Sequence, residues 1–174
     1  ELAKCEIPSK RGVLLVGEPG TGKTLISKIL INESPDITCI MANNGFLRFS
    51  KYICELYELA QDLKPSIVFI EDIDLIGQKR IESLYTRGDA LTTLLSTLDG
   101  IEECQEVVTI ATTNYLDNMD KSLRYRPSRF DRIIHLTLPS LEQRKDLIQH
   151  LSQKIAMGND IQNYIAQKTE SYTP

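Results

Sequence analysis

The most informative stretch of the chain reads Gly17-Glu18-Pro19-Gly20-Thr21-Gly22-Lys23-Thr24. It fits the pattern G-x-x-x-x-G-K-[ST], in which glycines let backbone N–H groups close on phosphate oxygens. The apolar run 13–16 before it predicts a buried parallel strand, and the apolar residues within 25–31 after it predict a helix. The positive end of that helix would face the same anion. The alternative is a glycine-rich turn that binds nothing, and the strand-loop-helix context favours phosphate binding over it.

The composition is that of an ordinary folded domain, with 174 residues, of which 41% are hydrophobic and 25% charged. This length allows one core and a small appendage. The net charge of −4 gives no reason to expect tight non-specific binding to nucleic acid or to an anionic membrane. No apolar run approaches the ~20 residues of a membrane-spanning helix, and no signal peptide opens the chain. Both ends look cut, so we expect a piece of a longer protein.

The four cysteines are widely spaced and form no C-x-x-C pair. Idle or buried thiols fit this spacing better than disulfides or metal ligands do, so we expect a cytoplasmic or another reducing compartment. The two histidines, His135 and His150, lie far apart, and no H-E-x-x-H motif occurs. We therefore expect neither a histidine metal site nor protease activity.

Strand-like apolar runs alternate with helical patterns along the chain. Beyond the first strand, further strands are predicted at 37–42, 67–70, 107–111 and 133–136. This alternation implies a parallel sheet covered on both faces, with ligands at the carboxyl ends of the strands. Asp89 is the expected N-cap of a helix that Gly100 ends, and Ser140 with Gln143 predicts a capping box.

Two carboxylates, Glu71 and Asp72, follow the predicted strand 67–70. Beside a phosphate loop, one carboxylate of such a pair holds the Mg²⁺ shell, and the other polarises the water that attacks the γ-phosphate. Taken alone, the pair could be an acidic turn or the acid-rich start of a helix. The phosphate loop favours the first interpretation.

The motifs, taken in order, resemble those of an AAA ATPase module over nearly the whole chain. They are Arg11 to Leu15, Gly17 to Thr24, Pro65 to Asp74, Leu94 to Gly100, Ala111 to Asn114 and Arg126 to Arg132. The chain is most similar to the branch with valosin-containing-protein-type segregases, proteasomal ATPases and membrane-anchored metalloprotease ATPases. The resemblance implies an α/β P-loop NTPase three-layer fold with a five-stranded parallel sheet in residues 1–138. The first helices of a truncated helical lid would follow in residues 139–174.

The resemblance also implies ATP and Mg²⁺ as the bound groups. Lys23 would reach the β- and γ-phosphates, and Thr24 and Glu71 would bind Mg²⁺. The residues expected to bind the nucleotide are Gly17, Glu18, Pro19, Gly20, Thr21, Gly22, Lys23, Thr24 and Leu25.

Asp72 stands where the family has its catalytic Glu, and Asn114 matches the sensor residue that places the attacking water. The order Glu71-Asp72 reverses the family's Asp-Glu order. The water-polarising carboxylate is one methylene shorter, which moves it back by roughly 1.5 Å. Since a displacement near 1 Å can cost on the order of a hundredfold in rate, we expect slow hydrolysis.

Arg126 and Arg129 match the two arginines that reach into the nucleotide site of a neighbouring subunit. A planar guanidinium suits a γ-phosphate well. The basic loop could instead be a solvated surface or a face that touches nucleic acid. Arg129 is the safer match, because Tyr125 looks like a one-residue insertion just upstream.

The stretch Asn44-Gly45-Phe46-Leu47-Arg48 keeps the aromatic-aliphatic pair of a polypeptide-gripping pore loop, without its trailing glycine. A hydrophobic staple at the start of the next helix is the alternative.

The resemblance as a whole implies Mg²⁺-dependent ATP hydrolysis that remodels or unfolds a protein client. It also implies a homo-oligomer, a hexameric ring, with no nucleic-acid partner and no membrane segment in this piece. Two alternatives stay open. One is a DNA-directed ATPase of the initiator or clamp-loader type, and the other is a scaffold that binds ATP with little hydrolysis.

Overall fold

The computed structural model describes residues 11–43, 45, 47, 49–76, 87–100, 106–116, 129–155 and 157–173. The strands are β1 (Arg11–Gly17), β2 (Thr38–Ala42), β3 (Ser66–Ile70), β4 (Val107–Thr113) and β5 (Arg132–Leu136). The helices are α1 (Lys23–Glu33), α2 (Ser50–Asp62), α3 (Arg87–Gly100), α4 (Leu141–Leu151) and α5 (Asn159–Lys168). None of the helices in this part of the chain has the length and apolar character of a membrane span.

The strands form one parallel sheet in the order β2-β3-β4-β1-β5, which confirms the predicted five-stranded sheet. Strand β4 lies between β3 and β1. Ile70 of β3 is opposite Ala111, and Val16 of β1 is opposite Thr113. The carboxyl ends of these three strands therefore lie side by side at one end of the sheet.

The sheet separates two apolar clusters, because successive strand side chains point to opposite faces. One cluster contains Leu14 and Val68 and is completed by side chains of α2 and α3. The other contains Leu15 and Phe69 and is completed by side chains of α1. Every residue of β3 is buried, as a strand covered on both faces requires. The sheet is thus covered on both faces, as predicted.

Several strand boundaries differ from the prediction by one or two residues, and the start of one helix differs as well. Helix α3 begins at Arg87, so Asp89 lies inside the helix and is not its N-cap. Strand β4 runs to Thr113, two residues past the predicted end, because it stays paired with β1 along that length. The predicted helix end at Gly100 is confirmed.

The capping box at the start of α4 is confirmed. Ser140 Oγ accepts a hydrogen bond from the N–H of Gln143 (3.3 Å), and Gln143 Oε1 accepts one from the N–H of Ser140 (2.9 Å). Arg144 then ties α4 to α5, because its guanidinium donates to the carbonyl oxygens of Ala166 (2.9 Å) and Pro139 (2.7 Å). The side chain of Arg144 therefore links the two helices that follow the sheet.

The two cysteines in the described part of the chain, Cys39 and Cys54, are free thiols, as expected. Burial raises the pKa of the Cys39 thiol above its ordinary value of 9.0. Cys5 and Cys104 lie outside the described residues.

Candidate functional site

The loop between β1 and α1 has the shape of a phosphate cradle. Gly20 and Gly22 have φ angles of 85° and 94°, a region that costs most other residues conformational energy. A Cβ atom at Gly22 would meet no atom within 4 Å, so space lies open on that side of the loop. At Gly17, in contrast, a Cβ atom would lie 2.6 Å from the carbonyl oxygen of Leu136 in β5. Packing fixes the base of the loop, and its open side faces the start of α1, where backbone N–H groups favour an anion.

Lys23, the first residue of α1, is 7% exposed and folds across this loop. Its Nζ donates to the carbonyl oxygens of Gly17 (2.7 Å) and Glu18 (2.8 Å), which uses two of the three N–H groups of the ammonium. Burial lowers the pKa of Lys23 from 10.5, and the negative charges of Asp72 and Asp74 oppose this change. The acidic residues after β3 are therefore within electrostatic reach of the loop lysine.

Asp72 turns the chain away from the sheet after β3. Its backbone is left-handed, with φ 49° and ψ 54°, a conformation that Asp adopts more readily than most non-glycine residues. Asp72 Oδ1 accepts a hydrogen bond from Nδ2 of Asn114, which follows β4, at 3.1 Å. The structure thus brings these two predicted site residues into contact.

Two threonines at the end of β4 hold the same acidic segment, and the sequence analysis did not find them. Thr112 Oγ1 accepts a hydrogen bond from the N–H of Asp72 at 3.0 Å. Thr113 Oγ1 donates to Asp74 Oδ1 at 2.9 Å, in a contact that is buried on both sides. Threonine is a common strand residue, so its type alone gave no signal of this role. A signal was available in the position of the pair, directly before Asn114.

Thr24 and Glu71, the predicted metal ligands, are oxygen donors of the kind that Mg²⁺ prefers. Thr24 is exposed at the start of α1 and offers a hydroxyl, and Glu71 offers a carboxylate directly after β3. In the described part of the chain, no group of three or more His, Cys, Asp and Glu residues could hold a metal ion by itself. Mg²⁺ is commonly held by one or two carboxylates plus substrate phosphates, so these oxygen donors suit an ion that arrives with ATP.

Comparison with known proteins identifies the family. The model of the family described as "ATPase family associated with various cellular activities (AAA)" matches residues 13–138. The chain belongs to the AAA ATPase family. This domain also resembles full-length archaeal proteins over nearly all of its own length.

Three of these relatives are named proteasome-activating nucleotidase. The protein of Sulfurisphaera tokodaii is 38% identical over 96% of this chain and 45% of its own length. That of Saccharolobus solfataricus is 37% identical over 94% of this chain and 44% of its own length. That of Methanocella arvoryzae is 36% identical over 91% of this chain and 40% of its own length. The chain therefore spans less than half the length of these relatives.

Arg129 is buried and paired with a residue of its own chain in this structure. The residue is 5% exposed, and its guanidinium binds the carboxylate of Asp99 in α3. Nε lies 2.9 Å from Oδ1, and Nη2 lies 2.6 Å from Oδ2. A role in the site of a neighbour would require Arg129 to leave Asp99. Arg126, the other predicted arginine, lies outside the described residues.

The residues around Asp131 are hydrogen-bonded to the start of β1 and pack closely against it. The N–H of Gly12 donates to Asp131 Oδ1 at 2.8 Å, and a Cβ atom at Gly12 would collide with the carbonyl oxygen of Arg129. Phe130 is buried in the cluster that faces α2 and α3. This segment therefore leads the chain into β5, beside β1, a structural role that the sequence analysis did not assign to it.

The predicted pore-loop pair is described only in part, since Phe46 lies outside the described residues. Leu47 is fully buried in the apolar cluster, so its side chain contributes to the core. The exposed aromatic residues beside it are Phe49 and Tyr52, at the start of α2, whose rings meet edge to face at 5.7 Å.

An apolar cavity of about 160 Å³ lies between the two helices that follow the sheet. A Cβ atom at Gly20 would lie 2.8 Å from Oγ1 of Thr173, so the end of the described chain rests against the loop. The cavity is lined by Pro139, Arg144, Leu147, Ile148, Ile165, Thr169, Tyr172 and Thr173. Apolar walls beside a phosphate site suit the flat ring of a nucleotide base.

Proposed function

We propose that this AAA domain binds Mg·ATP and hydrolyses it. The observation that carries the proposal is the contact between Asn114 Nδ2 and Asp72 Oδ1, at the strand ends beside the glycine loop. A carboxylate and an amide held together in this way can accept from and donate to one water molecule. Lys23, which is within reach of the charge of Asp72, is the first residue of α1, directly after the glycine loop.

In the proposed bound state, the N–H groups of the glycine loop and of the start of α1 hold the phosphates. Lys23 exchanges a carbonyl partner for a phosphate oxygen, or uses its third N–H group for it. Thr24 and Glu71 would hold Mg²⁺, which neutralises charge on the transferring phosphate. The base would enter the apolar cavity lined by Thr173, whose side chain lies beside Gly20.

In the proposed reaction, Asp72 polarises the water molecule that attacks the γ-phosphate, and Asn114 orients it. Catalysis in phosphoryl transfer is mostly positioning and charge stabilisation. Because Asp72 is short, the position of its carboxylate depends directly on the backbone that carries it.

The proposal extends to a ring, a homohexamer, in which Arg126 or Arg129 of one subunit completes the site of the next. The family resemblance supports this part. For Arg129, the Asp99 ion pair would have to open first. A protein client is proposed from the names of the relatives, which are proteasome-activating nucleotidases.

The test uses the full-length protein and compares the parent with Asp72→Asn. Asparagine keeps the size of the side chain and also tolerates a left-handed backbone, so the variant removes mainly the charge. Phosphate release should fall at least about a hundredfold, while calorimetry with Mg·ATP should give a Kd within about threefold of the parent. Turnover of the Asp72→Asn variant at the parental rate would refute the assignment of Asp72. A parent that binds ATP and releases no phosphate would favour the scaffold alternative, and salt-sensitive DNA binding would favour the DNA-directed one.

A further inference from the structure

The chain leaves the sheet abruptly after β3. The N–H of Glu71 still bonds to the carbonyl oxygen of Ala42 in β2, at 3.2 Å, as a continuing strand would. One residue later, the backbone of Asp72 is left-handed and the chain enters a short 3-10 turn, Ile73–Leu75. The backbone pairing of β3 with β4 ends at Ile70 and Ala111. Asp72 therefore lies at a sharp turn beyond the last paired residues.

A side chain of β4 replaces the lost backbone pairing. The N–H of Asp72 donates to Thr112 Oγ1 at 3.0 Å. Thr112 itself is 3% exposed and is paired with Leu15 of β1, so it is held rigidly within the sheet. Its hydroxyl thus connects the turn at Asp72 to the most central part of the fold.

The same stretch of β4 also binds the carboxylate. Asn114, two residues after Thr112, donates to Asp72 Oδ1. Thr113, between them, fixes the buried carboxylate of Asp74. Since an Asp side chain has two rotatable bonds, a fixed amide and a fixed oxygen leave its carboxylate little freedom.

We infer that Thr112 is a positioning residue, which sets the direction of the Asp72 carboxylate by holding the Asp72 amide. The inference rests on the proposed function in one respect: a hydrolysis defect follows only if Asp72 polarises the attacking water. A loss of the hydroxyl lets the turn relax, so the carboxylate moves relative to the γ-phosphate. Binding of the phosphates by the glycine loop does not depend on this contact.

The test compares Thr112→Val, which removes the hydroxyl at nearly constant shape, with Thr112→Ser, which keeps it, in the full-length protein. Thr109→Val is the matched control, because Thr109 lies on the same strand and its buried hydroxyl contacts the Tyr57 hydroxyl (3.0 Å). The expected kcat for ATP falls about 10- to 100-fold in Thr112→Val. It stays within about threefold of the parent in Thr112→Ser and within about twofold in Thr109→Val. KM and the Kd for Mg·ATP stay within about twofold in all three.

Hydrogen exchange at the Asp72 amide gives a readout that requires no turnover. The amide should be protected in the parent and in Thr112→Ser, and its exchange should accelerate in Thr112→Val and not in Thr109→Val. Even if the valine variant does not fold, the exchange rate in the parent shows whether the Asp72 amide is hydrogen-bonded.

Rapid exchange at Asp72 in the parent would overturn the inference, and so would a parental kcat in Thr112→Val. Equal losses of kcat and nucleotide affinity in Thr112→Val would also overturn it, because they indicate a general structural role. If the parent releases no phosphate, the proposed function fails, and the exchange data alone decide whether Thr112 holds Asp72.

Discussion

Asn114 Nδ2 lies 3.1 Å from Asp72 Oδ1, although 42 positions separate the two residues in the chain. The contact follows from the order of the sheet, since β3 and β4 are neighbours and both end at the same side. It joins a hydrogen-bond donor to the carboxylate proposed to polarise water. The pair proposed to orient water is therefore assembled within a single chain.

Asn114→Ala should impair hydrolysis without impairing binding. The variant removes the amide proposed to orient water and leaves the glycine loop intact, so kcat should fall about 10- to 100-fold with an unchanged Kd for Mg·ATP. Steady-state phosphate release and calorimetry measure the two quantities. Asn32→Ala, on the exposed surface of α1, is the control and should leave both unchanged. If nucleotide affinity fell as much as kcat, Asn114 would be a binding residue.

Gly20→Ala should disturb the phosphate loop. Alanine at a φ of 85° costs about 1–2 kcal/mol, and its methyl group would also press on Thr173. We expect Mg·ATP to bind about tenfold more weakly or worse, a change of about 1.4 kcal/mol. Gly158→Ala is the matched control, because its φ is −67° and a Cβ atom there meets nothing within 4 Å. It should cost about 0.5 kcal/mol of stability and no affinity. Equal affinities in the two variants would contradict the loop assignment.

The Arg129–Asp99 ion pair should stabilise the fold. Arg129→Ala leaves a partly buried carboxylate without its guanidinium, so the free energy of unfolding should fall by about 2–4 kcal/mol. Denaturant unfolding of Arg129→Ala, Asp99→Ala and the double variant measures the coupling. Lys51→Ala breaks the exposed Lys51–Glu55 pair and should cost no more than about 0.5 kcal/mol. If Arg129→Ala lowers the free energy of unfolding by no more than this, the ion pair with Asp99 is weak, and Arg129 is available to a neighbouring subunit.

Mixed rings should show whether an arginine acts between subunits. Full-length Arg126→Ala subunits keep Asp72, and Asp72→Asn subunits keep Arg126. When the two are mixed, some sites combine an intact Asp72 with an intact Arg126 from the neighbour, so phosphate release should rise above that of either variant alone. Each variant mixed with itself is the control. Mixed rings without any gain would count against action in trans by Arg126.

The sequence predicted the sheet, and the strand-loop-helix order around the glycine loop, because both depend on local patterns. Apolar runs of four to six residues separated by helical periods specify parallel strands, and the glycines of the loop satisfy a backbone requirement that only a few residue types can meet. The meeting of Asp72 and Asn114 was also accessible, since parallel strands place their carboxyl ends together.

The sequence could not predict which side chains hold the site in place. Thr112 bonds to Asp72 across 40 positions, and Arg129 binds Asp99 across 30. The Thr112 contact depends on the left-handed backbone of Asp72, and both contacts depend on side-chain rotamers. Neither feature produces a periodic pattern in the sequence. The family resemblance predicts a role for Arg129 at the site of a neighbouring subunit, and nothing in the sequence signalled its contact with Asp99 in the same chain.

The most direct test of the account is a structure of the full-length protein with Mg²⁺ and a non-hydrolysable ATP analogue. We predict that the phosphates contact the N–H groups of residues 20–23, that Lys23 Nζ bonds to a phosphate oxygen, and that the metal faces Glu71 and Asp72. A nucleotide bound elsewhere, or carboxylates at 71 and 72 that point away from the metal, would contradict the account.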